Sequence, residues 1–249
     1  MAVAVTQSNV RNRLLRGLSP DDFAQLRPHL QPIDLPVRTP VETPGDTIEQ
    51  ALFFESGICS IIVTGTHGEQ SEVGNVGREG MSGRGALLGS LTPSNRMIVQ
   101  VPGHALRIAT APLLEAVDRS RSLRALLLRY LQTLDIQVAH TMLAATRFNV
   151  HQRLARWLLM CHDRIDGNEL PLTHELLSLM LSVRRASVTQ EIQVLEGLGA
   201  IRAMRGNIRI LDRSKLIALT SGSYGIPEAE YDRLIQPLQN PAAILSARR

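Results

Sequence analysis

Residues 172–210 read LTHELLSLMLSVRRASVTQEIQVLEGLGAIRAMRGNIRI, and the rest of the chain is organised around them. Leu176, Leu177, Met180 and Leu181 recur at helical spacing, and Thr173 stands where a hydroxyl can accept from the free backbone donors of a helix start. In a second helix Val188, Ile192 and Leu195 fall at i, i+4 and i+7 and form one buried stripe. The opposite face, at the start of that helix, carries Arg185, Ala186, Thr189 and Gln190. Arginine pairs bidentately with guanine, glutamine with adenine, and a small side chain packs on the thymine methyl. A hairpin is expected from Ile201–Met204 and Asn207–Ile210 about a turn at Arg205-Gly206-Asn207. Alternation turns Ile201, Ala203, Ile208 and Ile210 inward and leaves Arg202, Arg205 and Arg209 for phosphates. Two short helices, a tight joint and a hairpin outline a winged helix-turn-helix. Its candidate DNA contacts are Thr173, Arg184, Arg185, Ala186, Ser187, Thr189, Gln190, Arg202 and Arg205.

The alternative is a pair of amphipathic helices with a solvated outer face and no partner. Charge weighs against it. Residues 1–146 carry 13 basic and 13 acidic side chains, residues 147–216 carry 11 and 7, and residues 217–249 carry 3 and 3. The whole net charge of +4 therefore sits on the segment with the two helices, as a nucleic-acid face requires.

The 249 residues, 44% hydrophobic and 20% charged, allow one large or two ordinary domains. Cys59 and Cys161 suggest neither a disulfide framework nor a metal cluster, and a reducing cytoplasm is expected. No apolar run approaches the roughly 18 residues of a membrane span, and the start MAVAVTQSNVRNRLL lacks a signal-peptide core, so no membrane role is expected.

Short helical pieces are expected at Val10–Leu15 and Pro20–Leu30, the second opened by Ser19-Pro20-Asp21-Asp22. From Gln31 to Thr110 the period shortens to β-rich runs at 51–54, 58–63, 72–76, 97–101 and 105–109, separated by glycine and proline turns. That spacing predicts a small antiparallel sandwich or barrel. Within it Gly77–Gly85, followed by a helical turn, could cradle a phosphate on free backbone NH groups with Arg78, Arg84 and Arg96 nearby. A tight corner that needs glycine for its dihedrals explains the stretch more simply.

Ala111–Val117 reads as a short helix and Leu123–Phe148 as a long one. The long helix sets Leu127, Leu131, Leu134, Val138 and Met142 on one side, a narrow stripe suited to a seam with a second copy of the chain or to packing on its own barrel. A hinge is expected at 147–149, then an apolar helix from His151 to Asp163.

Together with Phe53-Phe54-Glu55-Ser56-Gly57, the motifs Arg153–Leu159, Leu172–Leu177, Val183–Thr189 and Leu195–Ile201 resemble the catabolite-activator (Crp/Fnr) family of bacterial transcription regulators over about residues 10–220. The resemblance implies an α+β chain. An N-terminal antiparallel β jelly-roll like that of cyclic-nucleotide-binding domains would span 10–110, a dimerisation helix region 111–146 and a winged helix-turn-helix domain 147–220. Residues 221–249 would be a tail without an assigned role. It also implies a cytoplasmic homodimer on a double-stranded DNA operator, a signal sensed by the barrel and relayed through the long helices, and RNA polymerase as a partner.

In cyclic-AMP-binding members a Gly-Glu-Leu cassette holds the ribose, an Arg-Ser pair the phosphate, and a Thr-Ser pair on the long helix the adenine. The matching positions here are Gly83, Arg84 and Gly85, then Arg96 and Met97, then Val138 and Ala139. Gly83, Arg84, Gly85, Arg96, Met97 and Val138 are the candidate ligand residues, but three of the four features differ, so cyclic AMP is not carried over. No cysteine precedes Cys59, so no iron–sulfur cluster is expected. Two other readings use the same residues. The barrel could be a dimerisation or partner-docking module of a ligand-independent DNA binder. More remotely it could be a metal-dependent enzyme, although the seven histidines are singletons with no His-x-His pair, so neither a metal site nor a catalytic residue is expected.

Overall fold

The computed structural model describes residues 5–235. The chain starts with α1 (Arg13–Arg16) and α2 (Pro20–Leu26). Asn12 caps α1 and Ser19 caps α2, and Asn12 also donates from its amide to the carbonyls of Phe54 and Gly80, fixing the N-terminus to the barrel.

Seven strands follow: β1 (Gln31–Leu35), β2 (Pro40–Glu42), β3 (Gln50–Phe54), β4 (Ile58–Thr64), β5 (Gln70–Val76), β6 (Arg96–Val101) and β7 (Gly103–Ala109). They form two antiparallel sheets, ordered β1-β7-β3 and β2-β6-β4-β5. The chain crosses between sheets at Pro102, where Gly103 passes so near Ser56 that an added Cβ would lie 2.3 Å from its carbonyl oxygen. The short helix α3 (Arg84–Leu87) lies between β5 and β6.

After α4 (Thr110–Arg119), α5 (Arg121–Arg147) runs for 27 residues. Leu127, Leu131 and Leu134 of the expected seam are buried in the barrel core of this same chain. Periodicity identified an apolar face of α5, but the barrel and a C-terminal helix already cover it. The outward face carries Leu128, Gln132, Asp135, Ala139, Met142 and Leu143, all exposed. Met142, expected on the stripe, is 66% exposed.

Phe148 breaks the helix and Asn149 opens α6 (Val150–His162) with a reciprocal capping box to Gln152, at the expected hinge. Then come β8 (Glu169–Leu170), α7 (His174–Leu181), α8 (Arg185–Gly197), β9 (Ile201–Met204), β10 (Asn207–Ile210) and α9 (Arg213–Leu219). The strands form a sheet of order β8-β10-β9. Trp157, Leu158, Leu177, Val188, Ile192, Leu195, Ile201 and Ile208 share one core, and Ile58 and Val101 of the barrel join it. The two halves are therefore docked on each other.

The stretch beyond 221, expected as a tail without an assigned role, contains α10 (Ile226–Ile235), which packs against α5. Tyr231, Leu234 and Ile235 are its buried side, Tyr231 Oη donates to the Glu79 carbonyl at 2.5 Å, and Arg129 Nε donates to the Leu234 carbonyl at 2.8 Å. Pro227 sits in the first turn of α10, where its missing NH costs nothing. The remainder of that tail, 236–249, lies outside the described residues.

Candidate nucleic-acid interface

The helix-turn-helix begins where Thr173 Oγ1 accepts the Leu176 NH at 3.2 Å. It turns at Ser182, whose φ of 50° is left-handed, and the Val183 NH closes back on the Ser178 carbonyl at 3.1 Å. Arg184 is the extended N-cap residue of α8 and has no side-chain cap. The first turn of α8 therefore projects with free backbone donors and the positive end of the helix dipole outward, a favourable approach for a phosphate.

Val188, Ile192 and Leu195 are buried, and rotation about the helix leaves Arg184, Arg185, Ala186 and Gln190 exposed and Ser187 half-buried. Thr189 is placed differently from the expectation. Its hydroxyl lies 3.0 Å from His174 Nδ1 and donates to the Arg185 carbonyl at 3.1 Å, so it links the two helices. Thr173 is likewise occupied as a cap. His174, which periodicity could not single out, is thus a tie between α7 and α8.

Two further contacts fix α8. Glu191 faces His151 of α6 at 3.0 Å, and Glu196 accepts the Ala203 NH of β9 at 2.8 Å, joining recognition helix to wing. The wing turn has two residues, Arg205-Gly206, with Gly206 at φ 73°. Asn207, expected in the turn, pairs with Met204 as the first residue of β10.

Arg202 and Arg205 are exposed, and with Arg184 and Arg185 they have no carboxylate within 4.0 Å among the described residues. Arg209 is not free for phosphate, because it pairs with Glu169. Arg164 and Arg213 are bound to Glu79 and Asp163. Three arginines of the basic segment, Arg164, Arg209 and Arg213, are therefore paired, while Arg184, Arg185, Arg202 and Arg205 stand without a carboxylate beside the projecting turn and wing.

The candidate ligand residues of the barrel do not converge on an open site. Gly83 takes a left-handed φ of 81°, and its NH donates at 2.6 Å to Glu42 Oε1, a carboxylate that burial pushes up in pKa and that Arg84 faces. The chain's own carboxylate stands where the glycine-rich turn could hold a phosphate. Gly85 lies against the Ser90 carbonyl at a tight corner, Met97 is buried in the core, and Arg96 is half-buried on β6. Arg78 points elsewhere, pairing with Asp166 and donating to the carbonyls of Asp163 and Ile165. Val138 lines a separate cleft against α6.

Residues 152–219 match the family model of the Crp-like helix-turn-helix domain. This segment is a Crp-like helix-turn-helix domain. It spans α6 to α9 and contains every element of the projecting turn and wing. Solved structures share the fold of the whole. A protein assigned to the Crp/Fnr regulators from Eubacterium rectale is 17% identical with a TM-score of 0.65, over 84% of this chain and 98% of that one. FixK2 from Bradyrhizobium japonicum is 13% identical with a TM-score of 0.66, over 76% and 96%. The c-di-GMP responsive global regulator CLP from Xanthomonas campestris is 18% identical with a TM-score of 0.60, over 77% and 99%. No curated protein matches the chain. The chain shares the fold of these structures, a barrel and a long helix joined to a Crp-like helix-turn-helix domain.

Proposed function

We propose that this protein is a cytoplasmic, sequence-specific transcriptional regulator of the Crp/Fnr type, working as a homodimer on a DNA operator. The observation that carries the reading is the first turn of α8, which holds Arg184, Arg185 and Ala186 in the open beside the unpaired wing arginines Arg202 and Arg205. In a dimer two such turns enter the major groove at half-sites about 34 to 36 Å apart. The outward face of α5, with Leu128, Ala139, Met142 and Leu143, supports pairing of two long helices there. Contact with RNA polymerase follows from the resemblance alone. No helix among the described residues is long and apolar enough to cross a membrane.

Within this reading Arg185 and Gln190 face base edges, Arg184, Ser187, Arg202 and Arg205 face phosphates, Ala186 allows close approach, and Thr173 and Thr189 position the two helices. The Glu42 contact favours a barrel that holds no cyclic nucleotide at Gly83.

Arg185→Ala is expected to cost roughly 1 to 3 kcal/mol on the specific site and to relax preference at one base pair in each half. Arg205→Ala should weaken specific and random DNA alike and reduce the salt dependence by about one counterion per subunit. Titration of both variants on operator and scrambled duplexes across a salt series measures this. Equal weakening on the two duplexes by Arg185→Ala would transfer base reading to Gln190.

A further inference from the structure

Where the barrel, the end of α5 and the Crp-like domain meet, they form an open cleft of about 270 Å³. Most of its wall is apolar: Val63 and Val73 from the barrel, Val138 and Met142 from α5, Met180 and Leu181 from α7. The polar part of the wall is Ser71 and Glu72 of β5, Thr141 of α5 and the face of α6 that carries Arg153, Arg156 and Trp157.

Arg156 is only 4% exposed, yet it has no carboxylate within 4.0 Å among the described residues. Its Nε donates to the Ser223 carbonyl at 3.0 Å, Nη2 reaches Thr141 Oγ1 only at 3.5 Å, and Nη1 has no protein acceptor among the described residues. Arg153, one turn earlier on the same face, donates to the Leu181 carbonyl and also lacks an acid. Charged side chains are almost never buried this deeply without an ion-pair partner, because burial strips them of water.

The acids that act on Arg156 are Glu228 of α10 and Glu72, neither within 4.0 Å of it, and Glu72 is the one that lines the cleft. Its Oε2 accepts from Ser60 and Gln100, both at 2.9 Å, and its buried Oε1 has no partner. Burial raises its carboxyl to about 8, which lessens the negative charge it sets against Arg156 near neutral pH. A larger cavity of about 460 Å³ between α5 and α10 makes no such demand. Its arginines are matched internally, Arg13 with Asp232, Arg78 with Asp166 and Arg164 with Glu79.

We propose that this cleft binds a small amphipathic carboxylate, its apolar body against Val63, Val73 and Met180 and its carboxylate on the guanidinium groups of Arg156 and Arg153. The volume holds about nine waters at ~30 Å³ each, which sets the ligand at on the order of ten non-hydrogen atoms. A molecule there touches the barrel, the long helix and α7 at once, so it stabilises the docked arrangement of the two halves and biases how α8 is presented. That consequence rests on the DNA-binding reading; the binding does not.

Trp157, the chain's one tryptophan, lines the cavity, so its emission reports occupancy without DNA. The full-length protein is titrated with octanoate, 1-octanol and octylamine. Octanoate should shift the emission saturably, octanol should bind at least tenfold more weakly, and octylamine should produce no saturable change. Arg156→Gln should lose at least tenfold in octanoate affinity while its octanol affinity stays the same. Arg153→Gln, at a more exposed position, should lose severalfold and serves if the first variant does not fold. Octanol binding as tightly as octanoate, no saturable change with octanoate, or octanoate binding undiminished in the folded arginine variants would each overturn the proposal.

Discussion

Leu127→Asp is expected to destabilise the folded chain by on the order of 4 kcal/mol or more, whereas Met142→Asp should leave its stability nearly unchanged and yield monomers. Both residues were expected on one seam. Leu127 is 2% exposed and packs in the barrel core with Leu131 and Leu134, so a carboxylate there must be buried or must open the barrel. Met142 is 66% exposed on the outward face of the same helix, where a charge stays hydrated until a second copy covers it. Urea unfolding measures the first difference and sedimentation the second. A stable monomeric Leu127→Asp protein would return the seam to the inner face, and a dimeric Met142→Asp protein would remove it from the outer one.

Glu72→Gln is expected to change how stability depends on pH. Burial among Ser60, Gln100 and Trp157 pushes the Glu72 carboxyl from an ordinary value of 4.5 up to about 8. The folded chain thus holds a proton that the unfolded chain releases between those two values, and stability falls as pH rises through that window. Below 4.5 the group is protonated in both states and contributes no difference; above 8 the loss is complete. Glutamine is close in shape to the protonated acid and carries no charge to bury. The variant should match the parent near pH 4.5 and exceed it above pH 8 by on the order of 4 to 5 kcal/mol. Urea unfolding of both proteins from pH 5 to 9 cancels the contribution of every other group. Parallel stability curves would show that Glu72 is ionised in the folded chain at neutral pH.

What was legible in the sequence was mostly local. The caps at Ser19 and Thr173, the stripe of Val188, Ile192 and Leu195, and the alternation of Ile201, Ile208 and Ile210 each depend on neighbours a few residues away. They were readable to within a residue or two.

Partners far along the chain were not legible. Periodicity showed that Leu127, Leu131 and Leu134 face something apolar, but not whether that was a second copy or the barrel. A tight corner was the simpler reading of Gly77–Gly85, but nothing in that segment discloses Glu42, 41 residues earlier, as the acceptor of the Gly83 NH. Thr189 looked free to read a base because its bond to His174 crosses between two helices. The ten-residue α10 buries Pro227, Tyr231, Leu234 and Ile235, and its contact with α5, such as Arg129 to the Leu234 carbonyl, joins segments 105 residues apart. Arg156 read as one more cation in a basic segment, and only its burial without an acid distinguishes it.

The central claim is that the exposed first turn of α8 reads base sequence, and selection from a pool of random duplexes tests it most directly. Bound DNA is recovered at about 0.15 M salt, where backbone contacts alone hold only weakly, and its sequences are compared with those retained by the Arg185→Ala variant. The account predicts enrichment of a two-fold-symmetric site with half-sites one helical turn apart, and loss of preference at one base pair of each half in the variant. A retained pool as random as the starting one, or an identical site selected by the variant, would contradict it.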